Sequence, residues 1–397
     1  MNAFCCFRNI FQSSLSLGLC AVVLPCVVSR SAWGQVWQPT SAPTRDWTGV
    51  AASADATKLV AIAYGGGIYT STDSGATWTQ RASTQNWQAV ASAADGVKLV
   101  AVTYGGQIYT STNSGVDWTP RATARNWGTV ASSADGVRLV AGVSSGQVYT
   151  SGDSGVTWTP HETTRLWNGV GSSADGSRLV AAVGNAQIYI SANFGTNWTP
   201  RGSSSAWLGA ASSANGSNLV AAAFNVLGTG GQLATSTNAG LTWNVFGTNL
   251  NWWTVGACAD GTKLIAGIYG GQLYLSTNSG ANWAPSGPTN RWTSVACSTD
   301  GAKFIAASDF STGIGKIFVY PPLVPAPPSL AVSQTSSNTA VVSWPSAFTN
   351  WNLQQSTNLA HTNWDIPPEN ANDDGTNIFI VVDPSVGERF FRLSTPQ

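Results

Sequence analysis

"NWGTVASSADGVRLVAGVSSGQVYTSGDSGVTWTPHETT", Asn126 to Thr164, is the stretch that decides the fold. "WGTVASS" alternates apolar and polar residues as a half-buried strand does, and "ADG" is a hairpin turn. "VRLVAGV" reads as a second strand, "SSGQ" as a turn and "VYTS" as a third strand. "GDSG" turns again, and "VTWTP" is the fourth strand. Four consecutive antiparallel strands make one blade of a β-propeller.

The unit recurs. Its opening Trp returns as Trp47, Trp87, Trp127, Trp167, Trp207, Trp252 and Trp292, 40 residues apart except for one interval of 45 after Trp207. A period of this length predicts a propeller, here with seven blades. The seventh unit lacks a fourth strand after Tyr320. "QVWQPT" can supply it, because Trp37 stands ten residues before Trp47, where complete units place their fourth-strand Trp nine before the next opening Trp. The ring is therefore expected to close through its N-terminal strand, which removes an exposed sheet edge.

Composition agrees with an all-β chain. Of 397 residues only 9% are charged and 43% are apolar, with a formal net charge of zero. That balance opposes disorder and any general attraction to nucleic acid or anionic membranes. Residues 1–34 differ: Arg8 precedes an apolar run from Leu15 to Val28 and then "SAWGQ". This predicts a signal peptide cleaved before Gln35, with no membrane span remaining, and a secreted, cell-surface or periplasmic protein, expected to be a monomer.

Cys5, Cys6, Cys20 and Cys26 would leave with that leader, so Cys258 and Cys297 remain. They fall six and five residues after their opening Trp. Neighbouring strand positions face opposite ways, so a disulfide is not expected between them.

The propeller is assigned to residues 35–320, and "PPLVPAPP", residues 321–328, reads as a stiff proline linker. Residues 329–397 carry five short strand signals, enough for a small β-sandwich.

The ten residues "YTSTDSGATW", from Tyr69, recur with variation to Trp118, Trp158, Trp198, Trp243 and Trp283. Their S-x-D-x-G-x-x-W pattern resembles the Asp-box, or bacterial neuraminidase repeat, of sialidases, sortilin-type receptors and photosystem II assembly-factor-like propellers. The resemblance implies a propeller whose boxes lie on turns between third and fourth strands, away from any active centre. The tail, with "SWP", "LQQSTNL" and "FFRL", resembles a fibronectin-type-III-like module, which implies an accessory role.

Is the repeated acid a catalyst? It is Asp73 and Asp153 in two units but Asn113, Asn193, Asn238 and Asn278 in four. Asn keeps the turn-forming acceptor and cannot be a carboxylate base, so a structural role follows. The acid of the "ADG" turns, six Asp and one Asn, is a hairpin signal for the same reason. Only Asp46, Asp117, Glu162 and Asp309 remain as acids in the ring.

A sialidase-like hydrolase, which the resemblance raises, needs an arginine cluster, an Asp acid/base and a Tyr activated by a Glu. The sole ring Glu follows His161, and no "Arg-Ile-Pro" strand is present. The other histidine past the leader, His361, lies outside the ring, which leaves no His cluster for a metal or a triad. The chain is therefore read as non-catalytic, without metal or cofactor.

A binding surface has more support. The turns between second and third strands share one face with the links from blade to blade, and both departures from the repeat length fall there, near "FNVLGTGG" and "SDFSTGIG". Arg45, Arg125, Arg165 and Arg291 stand one or two residues before an opening Trp, and Arg81, Arg121 and Arg201 six before. With Trp87, Trp127, Trp167, Trp207, Trp252 and Trp292 they predict a basic, aromatic face. It would suit a glycan or an extracellular protein, through bidentate hydrogen bonds and ring stacking. Lys58, Lys98, Arg138, Arg178, Lys263 and Lys303 are expected on the opposite face as solubilising charges. The resemblance to assembly factors implies a protein scaffold as the alternative.

Overall fold

The computed structural model describes residues 2–5, 37–224, 231–247, 249–309, 315–320, 330–336, 339–346, 352–357, 364–383 and 389–394. Most of the expected leader with its expected cleavage point, the two insertions at 225–230 and 310–314, and the proline-rich stretch 321–328 lie outside them. The chain divides into a unit Gly34–Leu323 and a unit made of Met1–Trp33 with Val324–Gln397.

The larger unit is a β-propeller, all strand and turn among the described residues. The first strand Trp47–Ala52 pairs with Leu59–Gly66, that strand with Ile68–Ser71, and that with Thr79–Gln80, all antiparallel. The pairing of first with second strand repeats seven times, once for each opening Trp. In the seventh unit the fourth strand is Gln38–Pro39, with Gln38 opposite Val319 and Pro39 opposite Phe318. The N-terminal strand thus closes the ring as the spacing of Trp37 predicts.

A second closure lies in the first turns. The Ala54 amide donates to the Ala94 carbonyl, and the same bond runs on through Ala134, Ala174, Ala214, Ala259 and Thr299. Thr299 then donates back to Ala54 at 2.6 Å, so the circle closes after seven. Each bond satisfies a turn amide that would otherwise stand unpaired between blades.

Two features differ from the sequence reading. Second and third strands merge in blades 3, 4 and 6, as in Leu139–Ser151, and a fourth strand runs unbroken into the next first strand, as in Thr159–Ser172. The cause is extra pairing at the blade junction, where Ser144 meets Leu166 and Gly146 meets Arg165 through register shifts. Strand periodicity within one blade cannot reveal pairing between its turn and the following link.

The core lies between blades. Each opening Trp is at most 1% exposed. In six of the seven blades its ring meets the third-strand aromatic of its own blade edge to face, as Trp47 on Tyr69 at 5.2 Å, Trp127 on Tyr149 at 5.0 Å and Trp292 on Phe318 at 5.3 Å. The third strand of blade 5, Gln232–Ser236, carries no aromatic. Burying such a ring removes about 150–250 Å² from water, worth about 4–6 kcal/mol before entropy is charged.

The basic residues of the second strands are not the free solubilising charges that their strand position predicts. The Lys58 ammonium donates to the Asp95 carbonyl of the next blade at 3.0 Å, Lys263 to Asp300 at 2.8 Å, and Lys303 to Ser74 across the ring closure at 3.2 Å. Arg138 lies 3.7 Å above the ring of Phe194 in the following blade. A long side chain here spans the gap to its neighbour, which spacing along one strand does not show.

In the smaller unit, Ala331–Gln334, Ala340–Pro345, Asn377–Val382 and Asn372–Asp373 form one sheet. Phe390–Ser394 lies between Asn352–Ser356 and Asn2–Cys5 in a second sheet. Val342, Trp344, Ile380, Leu353, Phe391 and Leu393 bury a core drawn from both.

Candidate functional site

The turn face carries the repeated acids, and their geometry is that of turn formers. In the first box Ser71 donates to Asp73 Oδ1 at 2.7 Å, Asp73 Oδ1 accepts the Thr77 amide at 2.8 Å, and the Gly75 amide donates to Ser71 Oγ at 2.8 Å. Asn113 makes the same bonds with Ser111 and the Asp117 amide, at 3.0 and 2.9 Å. Asp153, Asn193, Asn238 and Asn278 repeat them. The Thr157 hydroxyl and amide hold Asp153 at a pKa of about 2, and Ser53 with Thr57 does the same for Asp55. Such acids stay charged and bonded within their own turns.

The loop face is where the b-to-c turns and blade links meet, taking a to d as the four strands of a blade. The opening Trp residues, Trp87, Trp127, Trp167, Trp207, Trp252 and Trp292, offer no ring to a ligand there. All are buried at 1% exposure or less, so their expected role as a stacking platform is withdrawn.

The seven arginines do not form one surface either. Arg125 and Arg165 lie 5.2 and 4.8 Å above the rings of Tyr149 and Tyr189, and Arg45 donates to the Tyr69 hydroxyl at 3.3 Å. Gln85 takes that place in blade 2, donating to Tyr109 at 2.9 Å. Arg81 and Arg121 turn back along the outer strands to the hydroxyls of Thr70 and Thr110, at 2.9 and 3.1 Å. Arg201 lines a cleft of about 430 Å³ between blades 4 and 5 with Arg178 and Asn193, towards the turn face. Outer-strand arginines reach hydroxyls on their own blade, and those bonds draw them away from the loop face.

What the loop face does present is a rim that repeat motifs do not mark. The residue 17 positions after each opening Trp ends the inner pair of strands. Its amide donates to the carbonyl of the residue before that Trp: Tyr64 to Asp46, Tyr104 to Asn86, Ser144 to Asn126, Phe224 to Ala206, Tyr269 to Asn251, Asp309 to Arg291, all within 2.8–3.1 Å. Gly184 holds the same position in blade 4 and pairs with Ala206 of the following link.

The rim is uneven. Tyr64 and Tyr104 are each 46% exposed, a large value for an aromatic side chain. Phe224 meets Trp253 edge-on at 5.6 Å, Trp253 stacks on Tyr269 at 4.8 Å, and the Arg291 guanidinium lies 4.3 Å above Tyr269. The Tyr269 hydroxyl donates to Asp309 Oδ2 at 3.0 Å, and Arg291 Nε stands 3.7 Å from the same oxygen. In this column aromatic and charged groups thus run through blades 5, 6, 7, 1 and 2, while blades 3 and 4 have Ser144 and Gly184 and present Arg125 and Arg165 beside them instead. Sequence reasoning followed the columns that repeat, and this column changes from blade to blade. Comparing it across the units would have exposed it.

His161 accepts or donates at Thr150 Oγ1, 2.8 Å away on the outer strand, and burial lowers its pKa. No group of three or more metal-ligating side chains occurs among the described residues, and no helix there is long and apolar enough to cross a membrane.

No family model and no curated protein sequence matches the chain. Solved structures do. YCF48 bound to D1 peptide superposes with a TM-score of 0.54 at 15% identity, over 71% of this chain and 95% of that one. The GH74 xyloglucanase from Xanthomonas campestris gives 0.56 at 16% identity, over 79% of this chain and 60% of the enzyme. The Cps50 (Swd1) β-propeller domain from Myceliophteria thermophila gives 0.55 at 12%, over 72% and 99%. These similarities hold across proteins of different activity, and what they share with this chain is the β-propeller fold.

Proposed function

We propose that this chain is an exported, non-catalytic, seven-bladed propeller that binds a glycan outside the cytoplasm, with the C-terminal module as an accessory. The observation that carries this reading is the aromatic rim of the loop face: exposed Tyr64 and Tyr104 on one side, and the Phe224, Trp253, Tyr269, Arg291 stack on the other. Sugar rings present C–H faces that pack on aromatic rings, and their hydroxyls suit carboxylates and guanidinium groups at the edge. Arg45, Arg125, Arg165 and Arg291 stand on this face against Asp46 and Asp309, which leaves it with an excess of positive charge, so an acidic glycan fits as well as a neutral one. Both insertions follow rim residues directly in sequence, one after Phe224 and one after Asp309.

The absence of catalysis rests on the carboxylates. Hydrolysis of a glycoside needs an acid and a second carboxylate set across the bond, or a stated substitute. The turn acids are held in their own hairpins, and Asp309 is engaged by Tyr269 and Arg291. A sialidase-like activity therefore has little to work with. A peptide ligand is the second reading, favoured by the likeness to a propeller solved with a peptide bound.

The test is affinity electrophoresis of the full chain in gels containing neutral β-glucan, xylan or mannan, or an acidic glycan. Retardation by one of these polysaccharides, weakened tenfold or more by Tyr64→Ala with Tyr104→Ala, is expected, since exposed aromatic anchors each carry about 1 kcal/mol or more. Unchanged retardation in the double variant would remove the rim from the site. Release of reducing sugar would overturn the non-catalytic reading, and capture of peptides alone would favour the scaffold.

A further inference from the structure

Cys258 and Cys297 belong to neighbouring blades, and each departs from its column. Cys258 takes the place of a turn serine whose hydroxyl donates to the turn acid elsewhere, as Ser53 does to Asp55 at 2.6 Å and Ser298 to Asp300 at 2.6 Å. Asp260 in blade 6 lacks that donor and relies on Thr262. Cys297 stands at the end of the next blade's first strand, where the equivalent Ser132 donates to a carbonyl of its own blade.

Both cysteines are free thiols in this structure, as the sequence reading expects, yet their sulfurs are 2.7 Å apart. The expectation that strand alternation keeps them apart assumes partners within one sheet. The turn of blade 6 instead projects across the gap onto blade 7, whose own turn comes so close that an added Cβ at Gly301 would lie 3.0 Å from Cys258 Sγ. Cys258 is 2% exposed, so little but Cys297 and its packed surroundings can reach it.

We propose that Cys258 and Cys297 form a disulfide that ties blade 6 to blade 7. A bonded pair sits ~2.05 Å apart, so closing the bond from this separation asks a movement of well under an ångström. The oxidant is a small or protein disulfide. One cysteine thiolate attacks it and expels a thiolate, and the second cysteine then attacks the mixed disulfide and releases the other half as a thiol. Two cysteine thiols are oxidised, one disulfide is reduced, and the protons pass to water and the released thiolates.

The hydrogen bond with Cys258, and then burial, pushes the Cys297 thiol well above its ordinary range. A closed ring therefore holds Cys297 as the thiol and exchanges slowly, which places bond formation at the docking of blade 7.

The full chain is unfolded with reductant, refolded with oxidised glutathione, digested with trypsin without reduction, and weighed by mass spectrometry. A species joining residues 202–263 to residues 292–303, lighter than the two peptides by two hydrogens, is expected. Cys258→Ser restores the serine of the other turns and should fold without that species. Refolded oxidised protein should melt roughly 5 °C higher than reduced protein, and the difference should vanish in Cys258→Ser. Recovery of both peptides unlinked, or linked instead to Cys5, Cys6, Cys20 or Cys26, would overturn the bond. A linked species with unchanged melting would overturn its role as a clasp.

Discussion

Replacing Asp153 tests whether the repeated carboxylate is anything more than a turn acceptor. Its Oδ1 receives the Thr157 amide at 2.9 Å and the Ser151 hydroxyl at 2.8 Å, and its Oδ2 receives the Thr157 hydroxyl at 2.6 Å. Asp153→Ala deletes all three acceptances. At about 0.5–1.5 kcal/mol each, and towards the low end because the turn is solvated, the loss comes to about 1–2 kcal/mol. Asp153→Asn should cost far less, because blade 5 already shows the amide in place: Asn238 Oδ1 accepts the Thr242 amide at 2.9 Å and Nδ2 donates to the Thr242 hydroxyl at 2.8 Å. Thr157 occupies the position of Thr242, so its hydroxyl needs only to turn from donor to acceptor. Urea unfolding at pH 7, followed by tryptophan fluorescence, measures both variants against the parent. If Asp153→Asn falls as far as Asp153→Ala, the negative charge itself matters, and the acid must serve something outside its turn.

Trp127→Ala should destabilise the ring by about 3–5 kcal/mol, the cost of a large core truncation that also strips Tyr149 of its edge-to-face partner, and the same denaturant titration reads it. A drop under 1 kcal/mol would mean the opening Trp is not core. Acid should weaken the propeller in a defined window. Hydrogen bonds led by those of Ser53, Thr157 and Ser173 hold Asp55, Asp153 and Asp175 at about 2, below their unfolded values. Stability from these groups is therefore complete above about pH 4 and lost as pH falls towards 2, and melting curves across that range should drop steeply only below pH 4.

The fold was legible because its determinants are local and repeated. A Trp about every 40 residues, an Asx turn eight residues later and, in six units, a second Asx turn each fix a short-range structure, and seven copies of the Trp force a ring. Trp37 even disclosed the closing strand. What escaped lies between blades. Lys58 reaching Asp95, Arg165 lying on Tyr189 and Cys258 meeting Cys297 are approaches made across a gap whose geometry no single repeat contains. The arginines were not legible one by one either: Arg81 and Arg121 turn to hydroxyls on their own blade, while Arg45, Arg125 and Arg165 lie against third-strand tyrosines.

A repeat protein separates its two tasks by column. A position filled alike in every blade, such as the opening Trp, is constrained by the ring, and an exposed ligand could not require it seven times over at one asymmetric site. A position that keeps one backbone bond while its side chain changes is free of that constraint. The column of Tyr64, Tyr104, Ser144, Gly184, Phe224, Tyr269 and Asp309 holds its amide bond through nearly the whole circle, yet it varies from glycine to tyrosine. The ring's construction does not dictate those side chains, so they are where recognition can break the sevenfold symmetry. The cysteine columns obey the same logic: one junction of seven departs from serine and alanine, and it departs on both sides at once.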